Sequence, residues 1–178
     1  MQSHVSLIQQ NLEILAQGLQ VLNRLSDTEY PEIRHPFSQY GIGSHLRHCL
    51  DFYLAFLNGV EIGWIDYDER RQNREIETGR QAAIACLQWV MHKLESLSGL
   101  QDQALLMVRL EDTAGEHEPR AWSRSSVLRE LQSLISHTVH HFALMAVMLQ
   151  LNGLATPPEF GVAPSTLKRW RSVELCAR

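Results

Sequence analysis

The sequence predicts an all-α fold, in the form of a four-helix bundle, from three observations. Four long segments place apolar residues three and four positions apart, which is the spacing of one helix face. Proline or glycine residues mark the connectors that follow these segments. The 178 residues, of which 44% are hydrophobic, are enough for a single domain over residues 1–178 with a full core.

The four segments are the main elements that we expect from these patterns: residues 5–25, 41–60, 76–97 and 128–151. Ser3 is expected to cap the first helix, and three serines are candidate caps for the last one: Ser123, Ser125 and Ser126. The connector over residues 27–40 contains two prolines, so we expect a loop there. Residues 61–74 are polar and charged with Trp64 and Tyr67 interleaved, and the run DERRQNRE at residues 68–75 indicates a solvent-exposed crossing or the start of a helix.

Two shorter elements complete the expected fold. Residues 104–110 have the composition of a short strand, and residues 111–122 are compatible with a turn and a second strand. We therefore predict a small β-hairpin between the third and fourth long helices. Residues 164–170 predict a short final helix with Pro164 near its first position.

Composition limits the classes of function and the compartment. The net charge is −4 and no basic block occurs, so nucleic acid is not expected as the main partner. We find no apolar run that looks long enough to cross a bilayer, and the N-terminus lacks the pattern of a secretory signal. The three cysteines show no paired spacing, which favours a reducing compartment. We therefore expect a soluble cytoplasmic protein with no membrane partner.

The last long segment carries an HxxxH pair. His137 and His141 are four residues apart on a helix, so they lie about 40° apart on one face, which Leu144 continues. His140 points elsewhere. Two imidazoles one helical turn apart can hold a metal ion. The alternative is a pair of buried or half-buried core histidines that bind nothing, because imidazole is intermediate in its burial preference.

The second long segment supplies candidates for a third ligand. His45 and His48 lie on one flank of this helix, and His48 shares its face with Phe52 and Ala55. Three inward histidines from two helices would form a metal site that leaves coordination positions open for water or substrate. Neutral imidazoles suit zinc, nickel, iron or copper, and their spacing does not choose between these metals.

Other polar residues carry weaker signals. Two loop histidines, His35 and His117, are more typical of surface positions than of metal ligands. Asp51 is expected to cap or to pair at the surface, away from His48. Three residues are candidate substrate contacts, although a structural role is favoured for each: Arg47, Tyr40 and Tyr53.

Two stretches, GIGSHLRHCLDFY at residues 41–53 and SHTVHHFALMAVMLQLNG at residues 136–153, resemble the DinB family. Its members are four-helix bundles that share a fold with mycothiol- and bacillithiol-dependent transferases. The resemblance implies that His48, His137 and His141 bind one divalent ion, with His45 as a neighbour of the site. The choice between His45 and His48 as the ligand on the second helix stays open.

Two functions of different classes follow from this resemblance. The first is a metal-dependent enzyme, a thiol-dependent transferase or hydrolase-like protein acting on a small molecule, with zinc, nickel or iron and a low-molecular-weight thiol as cofactors. The second is a non-catalytic metal-binding or interaction protein of the same fold. The resemblance and the apolar residues Phe37, Trp64 and Phe160 also suggest a homodimer.

Overall fold

A computed structural model describes residues 4–33, 40–69, 73–97, 104–110 and 121–176 of the chain. This part is mostly helical and has a small three-stranded sheet, so the expectation of a largely helical protein is confirmed. Its elements in chain order are α1 (His4–Arg24), α2 (Glu29–Glu32), α3 (Ile42–Gly59), β1 (Trp64–Asp66), α4 (Arg74–Thr78), α5 (Arg80–Glu95), β2 (Leu105–Arg109), β3 (Ser123–Ser126), α6 (Val127–Leu151) and α7 (Pro164–Cys176).

The core lies among the four long helices. Helix α1 packs against α5 and α6, and α3 packs against the same two helices. Each contributes apolar side chains that are fully buried, and burial of this surface is the main force that holds the helices together. Examples from the four helices are Leu15, Leu46, Leu87 and Phe142.

A buried polar cluster ties three of these helices together. Asn11 in α1 donates from its amide to the carbonyl of Leu131 in α6, over 3.1 Å, and accepts a 2.8 Å hydrogen bond from the Tyr53 hydroxyl of α3. The hydroxyl of Thr138 in α6 lies 3.3 Å from the Tyr53 oxygen. Buried polar groups need such partners, so this cluster restricts how the three helices can pack together.

The third expected segment, residues 76–97, is not one helix. It breaks at Gly79, whose backbone is extended (φ −110°, ψ 107°), into the short α4 and the long α5. Helix α4 packs directly on the start of α3. The approach is so close that a Cβ atom at Gly43 would lie 2.0 Å from the Glu77 carbonyl oxygen. The break places Glu77 beside α3, near the polar side chains Ser44 and Arg47.

The sheet is larger than the expected hairpin. Strand β2 lies in the predicted range and pairs antiparallel with β3, but β3 is Ser123–Ser126 and not part of residues 111–122, of which 111–120 lie outside the described residues. Strand β1 adds a third strand parallel to β2, with Trp64 opposite Met107. Strand β1 was not predicted from the sequence, whereas the charged run at residues 68–75 contains the start of a helix, α4, at Arg74. Ile65 and Tyr67 are buried, whereas Trp64 is 51% exposed. A three-residue strand is too short to show this alternation clearly in a sequence.

Several further expectations have outcomes in the structure. Ser126 caps α6 by accepting a hydrogen bond from the backbone N–H of Arg129, as predicted. The final helix runs beyond residue 170 to Cys176. Phe160 is buried and stacks on Phe142, so it adds no apolar surface for a dimer. Four residues named above lie outside the described residues: Ser3, His35, Phe37 and His117.

Helix α6 also corrects the expectation about membrane-spanning runs. Within the described ranges it is the one helix long and apolar enough to cross a membrane, by its 25 residues and its composition. The core helix of a globular protein meets the same criteria, and α6 packs here against α1 and α3.

The polar cluster predicts a stability effect at Asn11. We expect Asn11→Ala to lower the free energy of unfolding by about 1–3 kcal/mol, because Tyr53 and the Leu131 carbonyl would lose buried partners. Asn23→Ala is the matched control, since Asn23 is exposed on the same helix and its replacement should change stability by less than about 0.5 kcal/mol. Urea unfolding followed by circular dichroism would measure both, and equal effects would contradict the prediction.

Candidate metal centre

Three histidines from α3 and α6 come together between these helices. His137 and His141 lie one turn apart on α6, with ring centroids separated by 4.6 Å. His48 of α3 faces both of them, at centroid distances of 4.8 Å from His137 and 4.7 Å from His141. One nitrogen from each ring can be chosen so that all three lie within 4.8 Å of one another. The side chains are half-buried, and His140 is not part of this group.

Aromatic rings support the site from the side of the sheet. Phe52, one turn after His48, stacks on His137 with ring centroids 3.9 Å apart and on Tyr67 at 5.1 Å. The Tyr67 hydroxyl donates to one carboxylate oxygen of Glu130 over 2.8 Å, and the Ser125 hydroxyl donates to the other. These contacts fix the ring planes, so the sheet and its flanking residues help to orient His137.

Tyr67 and Glu130 were not identified as site residues from the sequence. The spacing of His48 and Phe52 placed Phe52 on the correct helix face, but no local pattern links it to Tyr67 or to Glu130. Both residues are buried, and burial together with the nearby Glu130 carboxylate raises the pKa of the Tyr67 hydroxyl above its usual range. The phenol therefore stays protonated and remains a hydrogen-bond donor.

His45 contacts the group without belonging to it. Its Nδ1 atom lies 2.9 Å from Nδ1 of His141, so one ring donates a hydrogen bond and the other accepts it. This contact leaves Nε2 of His141 as the nitrogen that can face a metal. A hydrogen bond of this kind sets the tautomer and orientation of a metal-binding imidazole.

The protonation state of His141 suits metal binding. Burial and the surrounding imidazoles of His137, His48, His45 and His140 lower the pKa of His141 to about 3. The ring is therefore neutral near pH 7. Because only a neutral imidazole can bind a metal, no proton has to leave His141 before binding at that pH.

A cavity of about 340 Å³ lies beside the histidines. The described residues that line it all carry a polar group: Tyr40, Ser44, His45, Arg47, His48 and His141. Two of the three candidate substrate contacts, Tyr40 and Arg47, are therefore in its wall, whereas Tyr53 lies in the core. A cavity of this size is at the lower end for small-molecule sites.

Asp51 is not at the surface, which corrects the expectation for it. It is 4% exposed, and its Oδ2 atom accepts a 2.7 Å hydrogen bond from Nη1 of Arg47. Glu77 accepts from Nε of the same guanidinium over 3.0 Å. The sequence spacing of Arg47 and Asp51 allows this helical ion pair, but the position of Glu77 depends on the break at Gly79.

The lowered pKa of His141 predicts acid sensitivity of the metal-free protein. Histidine titrates near 6.5 in an unfolded chain and near 3 at this position, so between these values the unfolded state binds more protons. The free energy of unfolding should therefore fall as the pH falls from about 6.5 towards 3. Urea unfolding in the presence of a chelator would show this, and His141→Gln should have the shallower pH profile. Parallel profiles would contradict the assignment.

Comparison with known proteins gives a family for the chain. FK506-binding protein 5 of Rhizopus delemar is 33% identical over 106 residues, which are 58% of this chain and 27% of that protein. The chain thus corresponds to about a quarter of this relative. No solved structure matches the chain. The profile of the DinB family matches residues 1–165, which include helices α1 to α6 of the described part and the first two residues of α7. The protein therefore belongs to the DinB family.

Proposed function

We propose that this protein is a four-helix-bundle metalloprotein in which His48, His137 and His141 bind one divalent transition metal. We further propose that it is a metal-dependent enzyme, a thiol-dependent transferase or a hydrolase-like protein, that acts on a small molecule. The observation that carries the proposal is the grouping of three imidazoles from two helices, two of which, His48 and His141, line a cavity of about 340 Å³.

The residues fit a divalent transition metal. Imidazole nitrogens are suitable donors for zinc, nickel and iron, and three of them leave coordination positions for a further ligand. Their half-buried positions limit competition from bulk water. A divalent ion at such a site lowers the pKa of a bound water or thiol, so that a nucleophile is available near neutral pH.

The chain's own residues have distinct parts in this proposal. His48, His137 and His141 would hold the ion, while Phe52 keeps the ring of His137 in place by stacking. His45 would keep Nε2 of His141 directed to the ion through the contact between the two Nδ1 atoms. The remaining cavity wall would bind and orient the substrate.

The cavity favours an enzyme over a metal-binding protein without catalysis, because a purely structural site would have no need for an adjoining space of this size.

We also propose a cytoplasmic protein with a small-molecule substrate and without a nucleic-acid or membrane partner. A homodimer stays a prediction, supported by the exposed Trp64 and its edge-on contact with Trp122.

Metal binding by single variants tests the proposed ligands. His48→Ala, His137→Ala and His141→Ala should each reduce metal affinity by more than 100-fold, because two imidazoles compete poorly against water and chelators, whereas loss of a supporting partner costs about 10–100-fold. His45→Ala should fall in that smaller range, and His140→Ala should bind as the wild type. Competition with a chromophoric chelator on untagged protein would measure each affinity.

The outcomes separate the alternatives for α3. Loss of binding in His45→Ala with normal binding in His48→Ala would show that His45 is the ligand. Full metal content in the triple variant of His48, His137 and His141 would show that the site does not exist as described. Affinity should also decline below a pH of about 6.5, as expected for histidine ligands.

Metal-dependent consumption of a small thiol in the presence of an electrophile would test the enzymatic part. We expect an acceleration with the metal-loaded wild type and with the metal-loaded His140→Ala variant, and none with either protein after the metal is removed. Equal rates with and without metal, in a protein that binds the metal, would favour the non-catalytic alternative.

A further inference from the structure

A series of contacts joins four side chains, from His137 to Glu130. Phe52 of α3 stacks on the His137 ring, with the centroids 3.9 Å apart and the planes inclined by 23°. Tyr67 stacks on the Phe52 ring at a centroid distance of 5.1 Å and an angle of 20°. The Tyr67 hydroxyl donates a 2.8 Å hydrogen bond to Glu130. Each ring is therefore roughly parallel to the next, and a carboxylate lies at the end of the stack away from His137.

This series begins and ends on the same helix. Glu130 and His137 are about two turns apart on α6, so both point to nearly the same side and are about 10 Å apart along the helix axis. Phe52 from α3 and Tyr67, which follows β1, fill the distance between them. The series therefore ties the orientation of His137 to elements outside α6.

Tyr67 has little freedom to move. It is 2% exposed, and its backbone N–H donates to the carbonyl of Arg109 in β2 over 2.9 Å. Glu130, which accepts from the Tyr67 hydroxyl, also accepts a hydrogen bond from the hydroxyl of Ser125 in β3. The Tyr67 ring thus cannot leave Phe52 without breaking a buried hydrogen bond.

The Glu130 carboxylate is an unfavourable group for packing alone. Glu130 is 3% exposed, and the guanidinium that pairs with it, from Arg129, is 4.0 Å away on a side chain that is 63% exposed. Burial of a carboxylate costs free energy that an apolar side chain of similar size would not cost. Hydrogen bonds from two hydroxyls offset part of this cost. We interpret the carboxylate as the group that fixes the Tyr67 hydroxyl.

We propose that Tyr67 is a positioning residue for the metal centre, which acts through Phe52 and holds the His137 ring in the orientation in which this ring binds the ion. Glu130 holds Tyr67 in turn. Phe52 also meets the His48 ring edge-on at a centroid distance of 5.1 Å, so the same stack contacts proposed ligands on both helices. This inference rests on the proposed function, because it requires an ion at the three histidines.

Removal of the Tyr67 hydroxyl tests the inference. In Tyr67→Phe the ring that stacks on Phe52 is kept, whereas the hydrogen bond to Glu130 is lost. The affinity of the untagged full chain for cobalt(II), measured by competition with a chelator, should fall about 3- to 10-fold. This loss is smaller than the roughly 10- to 100-fold typical of a residue that contacts a ligand directly. The visible spectrum of bound cobalt(II), which reports the arrangement of its ligands, should change as well.

Tyr30→Phe is the matched control for the loss of a buried tyrosine hydroxyl. Tyr30 is fully buried, and its hydroxyl donates a 2.8 Å hydrogen bond to the carbonyl of Ile76 in α4. Both variants should lower the urea stability of the metal-free protein, but Tyr30→Phe should keep the wild-type affinity and spectrum. Equal losses of affinity in the two variants would indicate general destabilisation and would overturn the inference. Wild-type affinity and spectrum in Tyr67→Phe would overturn it as well.

Further variants test the route through Phe52 and the part of Glu130. In the Phe52→Leu background, Tyr67→Phe should cause no further loss of affinity, because the stack on His137 is already absent. Glu130→Gln should keep most of the affinity, since its amide oxygen can still accept from the Tyr67 hydroxyl, whereas Glu130→Ala should match Tyr67→Phe.

The outcomes of these variants have defined meanings. Additive losses in Phe52→Leu with Tyr67→Phe would overturn the inference, because Tyr67 would then act by another route. Equal losses in Glu130→Gln and Glu130→Ala would also overturn it, because the carboxylate would then act through its charge. Absence of cobalt(II) binding by the wild type would instead refute the metal centre of the proposed function, and this inference with it.

Discussion

The packing of α3 against α6 is the interaction on which the rest of the structure depends. Two adjacent pairs of residues meet there: Tyr53 lies next to Thr138 in the core, and Phe52 stacks on His137 at the site. Successive residues on a helix point about 100° apart, so one contact between two helices can serve both purposes. The register that satisfies the buried polar cluster therefore also sets the distance between His48 and the two histidines of α6.

The remaining elements support this contact from two sides. On one side, the sheet and its flanking residues place Tyr67 and Glu130 behind Phe52. Phe52 stacks on Tyr67, and the Tyr67 hydroxyl is held by its hydrogen bond to Glu130. On the other side, α4 packs on the start of α3 and brings Glu77 to Arg47. The imidazoles thus lie between an apolar, aromatic wall and a polar wall that opens to the cavity.

This division has an electrostatic consequence. Burial and neighbouring rings keep His141 neutral, which suits a ligand, whereas the Arg47 guanidinium forms ion pairs with two carboxylates. Neutral imidazoles therefore lie beside an arginine whose positive charge is paired with carboxylates. Such an arrangement is compatible with a fold that is stable before any ion binds, since no strong repulsion has to be relieved first.

The sequence by itself determined the helical character of the chain, the HxxxH pair and the second helix with His48, because these features follow from periodicity within one element. A spacing of four positions on one helix is enough to place His137 and His141 on the same face. The family resemblance carried the choice of His48, and the structure places its ring beside the other two. Such local patterns do not indicate which ion is bound, which reaction is catalysed or how many copies of the chain associate.

Only the tertiary structure decided which distant residues meet. Strand β1 has three residues, and its pairing with β2 depends on a partner about forty positions away, so no local periodicity reveals it. The break at Gly79 is accompanied by the close approach of α4 to Gly43, which brings Glu77 to Arg47. For the same reason Asp51 is buried rather than exposed: its surroundings come from other elements, whose positions depend on the packing of the whole chain.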